Sequence, residues 1–461
     1  MFPHVGSFEI GVIFSRKIFE KFVITIFLQT IICYNHLIQM KGELTMKYVD
    51  VIGIGAINYD YMFPCKRIEK IDSYPDNGEE NIGVSNEMVE DEISELYITG
   101  KRNYSTQIGG SALLALKAIK AIDKNISIGF VGVCGKINDF DKRYGKSLDP
   151  KSELSFIDSN EWLFYTNETT PVENRYIGKA AIKLNRSNTR GNINISLGAN
   201  DLILDLINKQ EVEKNESIVD YLAQARWIHI SSLSRFEQFA KMMEYAITAK
   251  KQNRFLKISI DPGDKYTKTK RTELQKYIKE IDYVFLNNKE FHNLILNEDL
   301  PKNDKYIKLS TYFNNPYNVN TKIFIIKNKN KHILIDFVNR KPYVYYHNKL
   351  QFYKINNDTG AGDCFAGGFI AGLLSDKLIS QQPAPISLGV LAAKARMTSV
   401  TNSSIYENIE QESKKFFIKK YKNGELNRKQ RTKLFFQSHV DFVKGFITSL
   451  IISYICSLLI K

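Results

Sequence analysis

A run of very small residues in the C-terminal third of the chain encloses a carboxylate. The run reads NNDTGAGDCFAGGF from Asn356 to Phe369, with Asp363 in its middle. Glycine and alanine let a backbone approach a ligand closely, and the N–H groups at the start of a helix form an anion site. An acid beside an anion site repels phosphate unless it has chemistry to perform. The pattern therefore indicates phosphoryl transfer, with Asp363 accepting the proton of an attacking hydroxyl group.

The backbone of the same run has its own expected role. The N–H groups of Gly360, Ala361 and Gly362 would stabilise the charge that builds up on the transferred phosphoryl group. The alternative is structural, a glycine-rich helix that packs closely and is capped by an aspartate. That alternative does not explain both the GAG triplet and the GG pair that follows after four residues. The chain has no GxxxxGK[ST] motif, so a P-loop is excluded.

Strands and helices alternate through most of the chain before this run. Short β-branched runs predict strands, and apolar residues at helical spacing predict helices between them. The predicted strands are 50–57, 127–134, 226–233, 255–262, 283–288 and 322–327, and the predicted helices include 111–122, 235–252 and 273–281. The alternation predicts an α/β fold with three α/β/α layers and a mostly parallel sheet. In such sheets ligands bind beyond the carboxyl ends of the strands.

Two segments do not fit the alternation. The segment 61–107 is long, acidic and polar, and the segment 168–200 contains two stretches typical of hairpin strands. Long insertions in compact domains tend to have a function. We interpret both segments as parts of a small β lid over the ligand crevice. Whether lid strands also join two copies in a homodimer stays open.

The run DTGAGDCFAGGF closely resembles the C-terminal signature of the ribokinase-like (PfkB) family of sugar and nucleoside kinases. Weaker likenesses to that family precede it, in the order VDVIGIGAINYDYMF, IGGSALLALKAI, SIDPGDKY and LNNKEF, and the whole resemblance covers about Met46 to Ser404. The resemblance implies a ribokinase-like fold and an ATP-dependent kinase. Its substrate would be a hydroxyl group of a small sugar, nucleoside or related polyol.

The resemblance also implies roles for individual residues. Substrate would be bound by Asn58, Asp60, Gly109 and Gly110, and the nucleotide by Asn287, Lys327, Thr359, Gly360 and Gly362. Mg²⁺ would be placed by Asn287 and Glu290, because an amide and a carboxylate after a strand can order magnesium-bound waters. Taken alone, the stretch NNKE is more often a cap at the start of a helix.

Several positions depart from the family pattern. Asp358 stands where the family has Ser or Thr, which weakens the case for a monovalent cation there. Leu114 replaces an asparagine that contacts substrate, and Lys327 with its next two residues replaces small residues beside the nucleotide. These departures favour an alternative function, a catalytically weak kinase-fold protein that regulates or binds.

The composition is typical of a cytoplasmic globular protein. The chain has 461 residues, 43% of them hydrophobic, and its five cysteines lack the spacing of a zinc site or a disulfide framework. Much of the net charge of +14 lies in one basic segment, 414–433. Such runs are usually solvated, so we expect no nucleic-acid partner.

Both ends of the chain differ from its middle. Residues 22–34 are apolar, and Met46 immediately precedes the first predicted strand. We therefore expect residues 1–45 to be a leader or an upstream artefact, residues 46–404 to be the kinase domain, and residues 405–461 to be a basic extension with an apolar C-terminal helix. The apolar stretch 445–460 is short for a membrane span, so membrane contact through this tail is the minority alternative.

Overall fold

The computed structural model describes twelve ranges of the chain between Val49 and Asn423. They are 49–64, 80–100, 104–146, 148–184, 190–231, 233–296, 323–327, 331–336, 341–346, 356–375, 384–399 and 402–423. The predicted leader and the apolar tail 445–460 lie outside the described residues.

The larger of two sheets contains nine of the described strands. They are β1 (Val49–Ile54), β5 (Ile128–Cys134), β6 (Leu163–Tyr165), β9 (Ala225–Ser231), β10 (Lys257–Asp261), β11 (Tyr283–Asn287), β12 (Ile323–Lys327), β13 (Lys331–Asp336) and β14 (Lys341–Tyr346). Their order is β14-β13-β12-β11-β10-β9-β1-β5-β6. Neighbours from β12 to β6 run parallel, and β13 and β14 add an antiparallel edge. The predicted mostly parallel sheet is confirmed.

The helices lie between or after the strands along the chain. The α-helices are α1 (Asn86–Thr99), α2 (Ser111–Ile122), α3 (Asp139–Tyr144), α4 (Pro150–Glu153), α5 (Val172–Arg175), α6 (Ile203–Lys214), α7 (Ile218–Ala223), α8 (Phe236–Gln252), α9 (Gly263–Thr269), α10 (Arg271–Ile278), α11 (Asn288–Phe291), α12 (Ala361–Leu374), α13 (Ala384–Thr398) and α14 (Asn402–Asn423). A 3₁₀ turn at Gly198–Leu202 and a π-helical turn at His292–Leu296 complete the set in the described ranges.

Alternate side chains of each buried strand enter two different hydrophobic cores. In β11, Phe285 belongs to one core, whereas Val284 and Leu286 belong to the other. The first core also contains residues of α2, α12, α13 and α14, and the second contains residues of α7, α8 and α10. A strand sends successive side chains to opposite faces, so helices cover both faces of the sheet. The predicted three-layer α/β/α fold is confirmed.

The second sheet forms the lid and has five strands. They are β2 (Asn58–Pro64), β3 (Glu80–Val84), β4 (Ser105–Gly109), β7 (Gly178–Leu184) and β8 (Arg190–Ser196), in the order β3-β8-β7-β2-β4. Helix α1 packs on this sheet and buries Val89, Ile93 and Leu96. The sequence analysis did not predict this helix, because a polar, acidic segment gave no strong apolar periodicity. The lid therefore contains a helix as well as strands.

A buried cation joins the lid to the main body. The side chain of Lys179 in β7 is fully buried, and its Nζ lies 3.0 Å from Glu90 Oε1 in α1 and 3.4 Å from Asp141 Oδ2 in α3. Tyr61 donates a hydrogen bond of 2.8 Å to the other oxygen of Asp141. Burial raises the pKa of Asp141, and Lys179 counters part of that rise. Three elements thus share one compensated set of charges.

The C-terminal helix α14 crosses the predicted domain boundary at residue 404. Its residues Ile405 and Ile409 are buried in the first core, so the start of the predicted extension packs against the rest of the domain. Within the described ranges, no helix is both long enough and apolar enough to cross a bilayer.

We predict that Lys179→Met lowers the free energy of unfolding by about 3–5 kcal/mol, because it leaves the carboxylates of Glu90 and Asp141 uncompensated. Denaturant titration measures the loss. Lys209→Met is the matched control, since Lys209 is exposed and lies 3.7 Å from Glu213; its effect should stay within about 0.5 kcal/mol. Equal, small losses in both variants would contradict a structural role for the buried cluster.

Candidate active site

The run NNDTGAGD forms a tight loop and then the first turn of α12. Gly360 is the N-cap residue, with φ of +79°, in the left-handed region that favours glycine. Thr359 N–H donates to Asn357 Oδ1 at 2.9 Å, and Ala361 N–H donates to the Asp358 carbonyl at 3.1 Å. The N–H of Ala361, expected to face a phosphoryl group, is therefore used inside the loop in this conformation.

A cavity of about 500 Å³ opens in front of this helix start. Residues that line it include Asp261, Asn287, Glu290, Lys327, Ala361, Gly362 and Asp363. Asp261, Asn287 and Lys327 are the last residues of β10, β11 and β12. The cavity therefore lies beyond the carboxyl ends of parallel strands, as the fold predicts.

Lys327 lies between carboxylates and the glycine loop. Its Nζ forms an ion pair with Asp261 and is 3.2 Å from the point where a Cβ on Gly362 would stand. Burial by itself lowers the pKa of Lys327, but the charges of Asp261 and Glu290 outweigh burial and raise it. The lysine is therefore a protonated cation next to the predicted phosphate site.

Asn287 and Glu290 cap the short helix α11. Glu290 N–H donates to Asn287 Oδ1 at 2.9 Å, and Asn287 N–H donates to Glu290 Oε2 at 2.7 Å. Burial and the charge of Asp261 raise the pKa of Glu290. The helix cap that NNKE indicates is thus present, and Glu290 also lines the cavity.

Mg²⁺ bound to a nucleotide takes most of its ligands from water and phosphate. The carboxylate and amide oxygens at this end of the cavity fit such an ion. Across the described ranges, no group of three or more His, Cys, Asp or Glu residues could by itself hold a metal ion. Mg²⁺ in nucleotide sites needs only one or two carboxylates, and Glu290 and Asp261 are available there.

Asp60 occupies a second, more enclosed position on β2. It is buried, and Gln107 Nε2 donates to its Oδ2 at 2.9 Å. Burial raises the pKa of the Asp60 carboxyl to about 7; Asp363 adds to the rise, and Gln107 and Arg396 oppose it. Asp60 therefore lies close enough to Asp363 to respond to its charge, although it does not line the cavity in front of α12.

The glycine pair of IGGSALL is required by close packing. A Cβ on Gly109 would stand 1.8 Å from Asp60 Oδ2, and a Cβ on Gly110 would stand 2.0 Å from the Ala56 carbonyl oxygen. Gly110 also has φ of +122° as the N-cap of α2. Gly109 therefore lies against the predicted substrate carboxylate and Gly110 against the backbone just before β2, and neither lines the cavity in front of α12.

Asn58 is held by an asparagine that the sequence analysis did not single out. Asn200 Nδ2 donates to Asn58 Oδ1 at 2.9 Å, and Asn200 Oδ1 accepts from Ile57 N–H at 2.8 Å. Asn200 therefore fixes the junction between β1 and the lid. The sequence offered no signal for it beyond a polar residue after a predicted hairpin.

Two further residues of the site had no assigned role in the sequence analysis. Asp261 is part of SIDPGDKY, but only the structure pairs it with Lys327. Arg396 is buried in α13, where it donates to the Thr359 carbonyl at 2.6 Å and to Gln107 Oε1 at 3.2 Å. An arginine within the apolar stretch LGVLAAKARM was the available signal.

The chain also matches a model of a known protein family. The family model described as pfkB family carbohydrate kinase matches residues 166–384. This stretch is similar to the PfkB family of carbohydrate kinases. The resemblance carried by DTGAGDCFAGGF is thereby confirmed. A comparison with curated protein sequences gives no match.

Solved structures of two adenosine kinases and a ribokinase share the fold. An adenosine kinase from Schistosoma mansoni is 17% identical, with a TM-score of 0.57 over 77% of this chain and 97% of that chain. An adenosine kinase from Anopheles gambiae is 18% identical, with a TM-score of 0.58 over 78% and 98%. A ribokinase from Giardia lamblia is 16% identical, with a TM-score of 0.53 over 80% and 99%. At these identities the likeness establishes the fold alone.

We predict that Gly360→Ala destabilises the protein more than Gly83→Ala does. Both glycines have positive φ, so each substitution adds about 1–2 kcal/mol of backbone strain. A Cβ on Gly360 would also stand 2.8 Å from Leu114 Cδ1, whereas a Cβ on Gly83 meets nothing within 4 Å. Denaturant titration of the two variants gives the comparison, and equal losses would show that the loop is not tightly packed against α2.

Proposed function

We propose that this protein is an ATP-dependent kinase that phosphorylates a hydroxyl group of a small sugar, nucleoside or related polyol. The observation that carries the proposal is the position of Asp363. It lies in the first turn of α12 and lines a cavity at the strand ends together with Lys327. A carboxylate, a cation and a helix start at one place are the parts that hydroxyl phosphorylation needs.

In the proposed reaction the acceptor hydroxyl lies between Asp363 and the γ-phosphorus of ATP. Its proton passes to the Asp363 carboxylate while its oxygen bonds to phosphorus. The bond between the γ-phosphorus and the β–γ bridging oxygen breaks, and ADP leaves with that oxygen. The N-terminal end of α12 and the Lys327 ammonium stabilise the negative charge on the transferred group.

Glu290, with Asp261 beside it, would hold Mg²⁺ on the nucleotide side. When bound, the ion would neutralise charge on the phosphates. Lys327 would then need to exchange part of its contact with Asp261 for the phosphates, because one ammonium group has only three donors.

The lid supports the proposal by closing one side of the cavity. Glu80 and Ile82 of β3 line it, and Lys265 of α9 donates to the Ile82 carbonyl at 3.0 Å. A lid that contacts the nucleotide side can exclude water, which prevents simple hydrolysis of ATP. Adenosine and ribose are the first acceptors to test, since similar folds include adenosine kinases and a ribokinase.

A second candidate function is a regulatory or binding protein with weak catalysis. Leu114 favours it, because an apolar side chain packs against Gly360 where family members have an asparagine that contacts substrate. The ion pair of Lys327 with Asp261 favours it as well. Tight ATP binding without consumption in the presence of any acceptor would support this candidate over the kinase.

We predict that Asp363→Asn lowers kcat by about 10²- to 10⁴-fold while ATP still binds, because the amide cannot accept the proton. Coupled ADP detection measures the rate, and calorimetry measures ATP binding. Asp139→Asn serves as the control, since the carboxylate of Asp139 is exposed on α3. Unchanged turnover in Asp363→Asn would refute the assigned base.

We predict that kcat/KM for the acceptor rises between pH 6 and pH 8 with a midpoint near 7. Asp60 has a pKa of about 7 in the folded protein, and its ionised form accepts hydrogen bonds from substrate hydroxyl groups better. Below the midpoint the protonated form dominates and acceptor binding weakens. The rise should be absent in Asp60→Asn, and its persistence in that variant would exclude Asp60 as its source.

A further inference from the structure

A buried arginine lies near both carboxylates of the proposed acceptor site. Arg396 in α13 is 2% exposed. Within the described part of the chain, its hydrogen bonds go to the Thr359 carbonyl, Gln107 Oε1 and Met62 Sδ, all of them neutral acceptors. Buried charges are usually paired. Because these hydrogen-bond partners are neutral, the positive charge of the guanidinium can stabilise carboxylates that it does not contact.

The hydrogen bonds of Arg396 form a chain that ends at Asp60. Its Nη2 donates to Gln107 Oε1 at 3.2 Å, and Gln107 Nε2 donates to Asp60 Oδ2 at 2.9 Å. Because the guanidinium can only donate, it requires the oxygen of the Gln107 amide to face it. The amide NH₂ must then face Asp60. Arg396 thereby fixes the orientation of the group that holds the Asp60 carboxylate.

The same arginine also holds the loop before α12. Its Nε donates to the Thr359 carbonyl at 2.6 Å, one residue before the Gly360 N-cap. Arg396 Nε and Asp363 Oδ2 lie 3.3 Å and 3.8 Å from the point where a Cβ on Gly360 would stand. The guanidinium and the Asp363 carboxylate therefore both lie close to the side of Gly360 that a Cβ would occupy.

Four groups determine the electrostatics around Asp60. They are Gln107 from β4, Arg396 from α13, Asp363 from α12 and Lys117 from α2. Arg396 and Lys117 favour the charged form of Asp60, and Asp363 disfavours it. Lys117 also pairs with Glu153 at 2.9 Å, so part of its charge is already compensated.

We propose that Arg396 is a positioning residue for the acceptor. It holds Asp60 in place through Gln107, and it supplies positive charge that offsets the repulsion between Asp60 and Asp363. This role rests on the proposed kinase function. In this role, one side chain of α13 connects the lid, which carries Asp60, with α12, which carries Asp363.

The first test is thermal unfolding at pH 8, which needs no turnover. Arg396→Met should lower Tm by roughly 5 °C or more, since above the pH at which Asp60 ionises it loses the cation that most favours its charged form. Adding Asp60→Asn to Arg396→Met should restore much of that loss, because the uncompensated charge is then absent. The loss should also be smaller at pH 6, where Asp60 is mostly protonated.

Arg226→Met is the matched control. Arg226 pairs with Asp50 at 3.1 Å, near the amino ends of β9 and β1 and away from the site. Its effect on Tm should not depend on Asp60→Asn. Losses that simply add for Arg396→Met and Asp60→Asn would overturn the charge role of Arg396, whether or not the protein is a kinase.

Kinetics provide the second test once adenosine or ribose has shown turnover. Arg396→Lys should keep the midpoint of acceptor kcat/KM near pH 7, and Arg396→Met should move it upward by about one pH unit with KM for ATP little changed. If Arg396→Met does not fold, Gln107→Leu breaks the same chain of hydrogen bonds and should raise KM for the acceptor about tenfold. A uniform loss at every pH with an unmoved midpoint would indicate a structural role and contradict the proposal.

Discussion

The site depends on placing several carboxylates around one point without letting them repel each other. Asp60, Asp261, Glu290 and Asp363 come from β2, β10, α11 and α12 and converge near the start of α12. The proposed function places each of them near phosphates or hydroxyl groups, yet buried carboxylates tend to become protonated. Lys327 compensates the nucleotide side and Arg396 the acceptor side. The glycine loop can approach these groups only because Gly360 adopts positive φ and has no side chain.

This arrangement also explains how several departures from the family pattern can occur together in one stable site. Lys327 replaces a small residue, but it brings a cation to Asp261 at the end of β10, on the far side of β11. Leu114 replaces an amide, and it packs where Gly360 has no side chain. In the sequence these substitutions suggest a loss of function. In the fold, the Leu114 side chain is packed and the charge of Lys327 is compensated.

Most of the fold could be predicted from the sequence, because buried parallel strands and amphipathic helices leave periodic patterns. The strands that end in Asp261, Asn287 and Lys327 were all predicted, and so was the helix that starts after Gly360. Helix α1 could not be, since it is held to the lid partly through polar pairs such as Glu90 with Lys179. Arg396 and Asn200 were missed for another reason: their partners lie far away in the sequence, and only the fold brings them together.

The most direct test of the account is to observe the product of phosphoryl transfer. The full-length protein would be incubated with ATP, Mg²⁺ and either adenosine or ribose, then with a wider set of nucleosides and polyols, and followed by ³¹P NMR. The account predicts a new phosphate monoester signal that grows with ADP for at least one acceptor. ATP that binds but gives neither ester nor ADP with any acceptor would contradict it and favour the regulatory function.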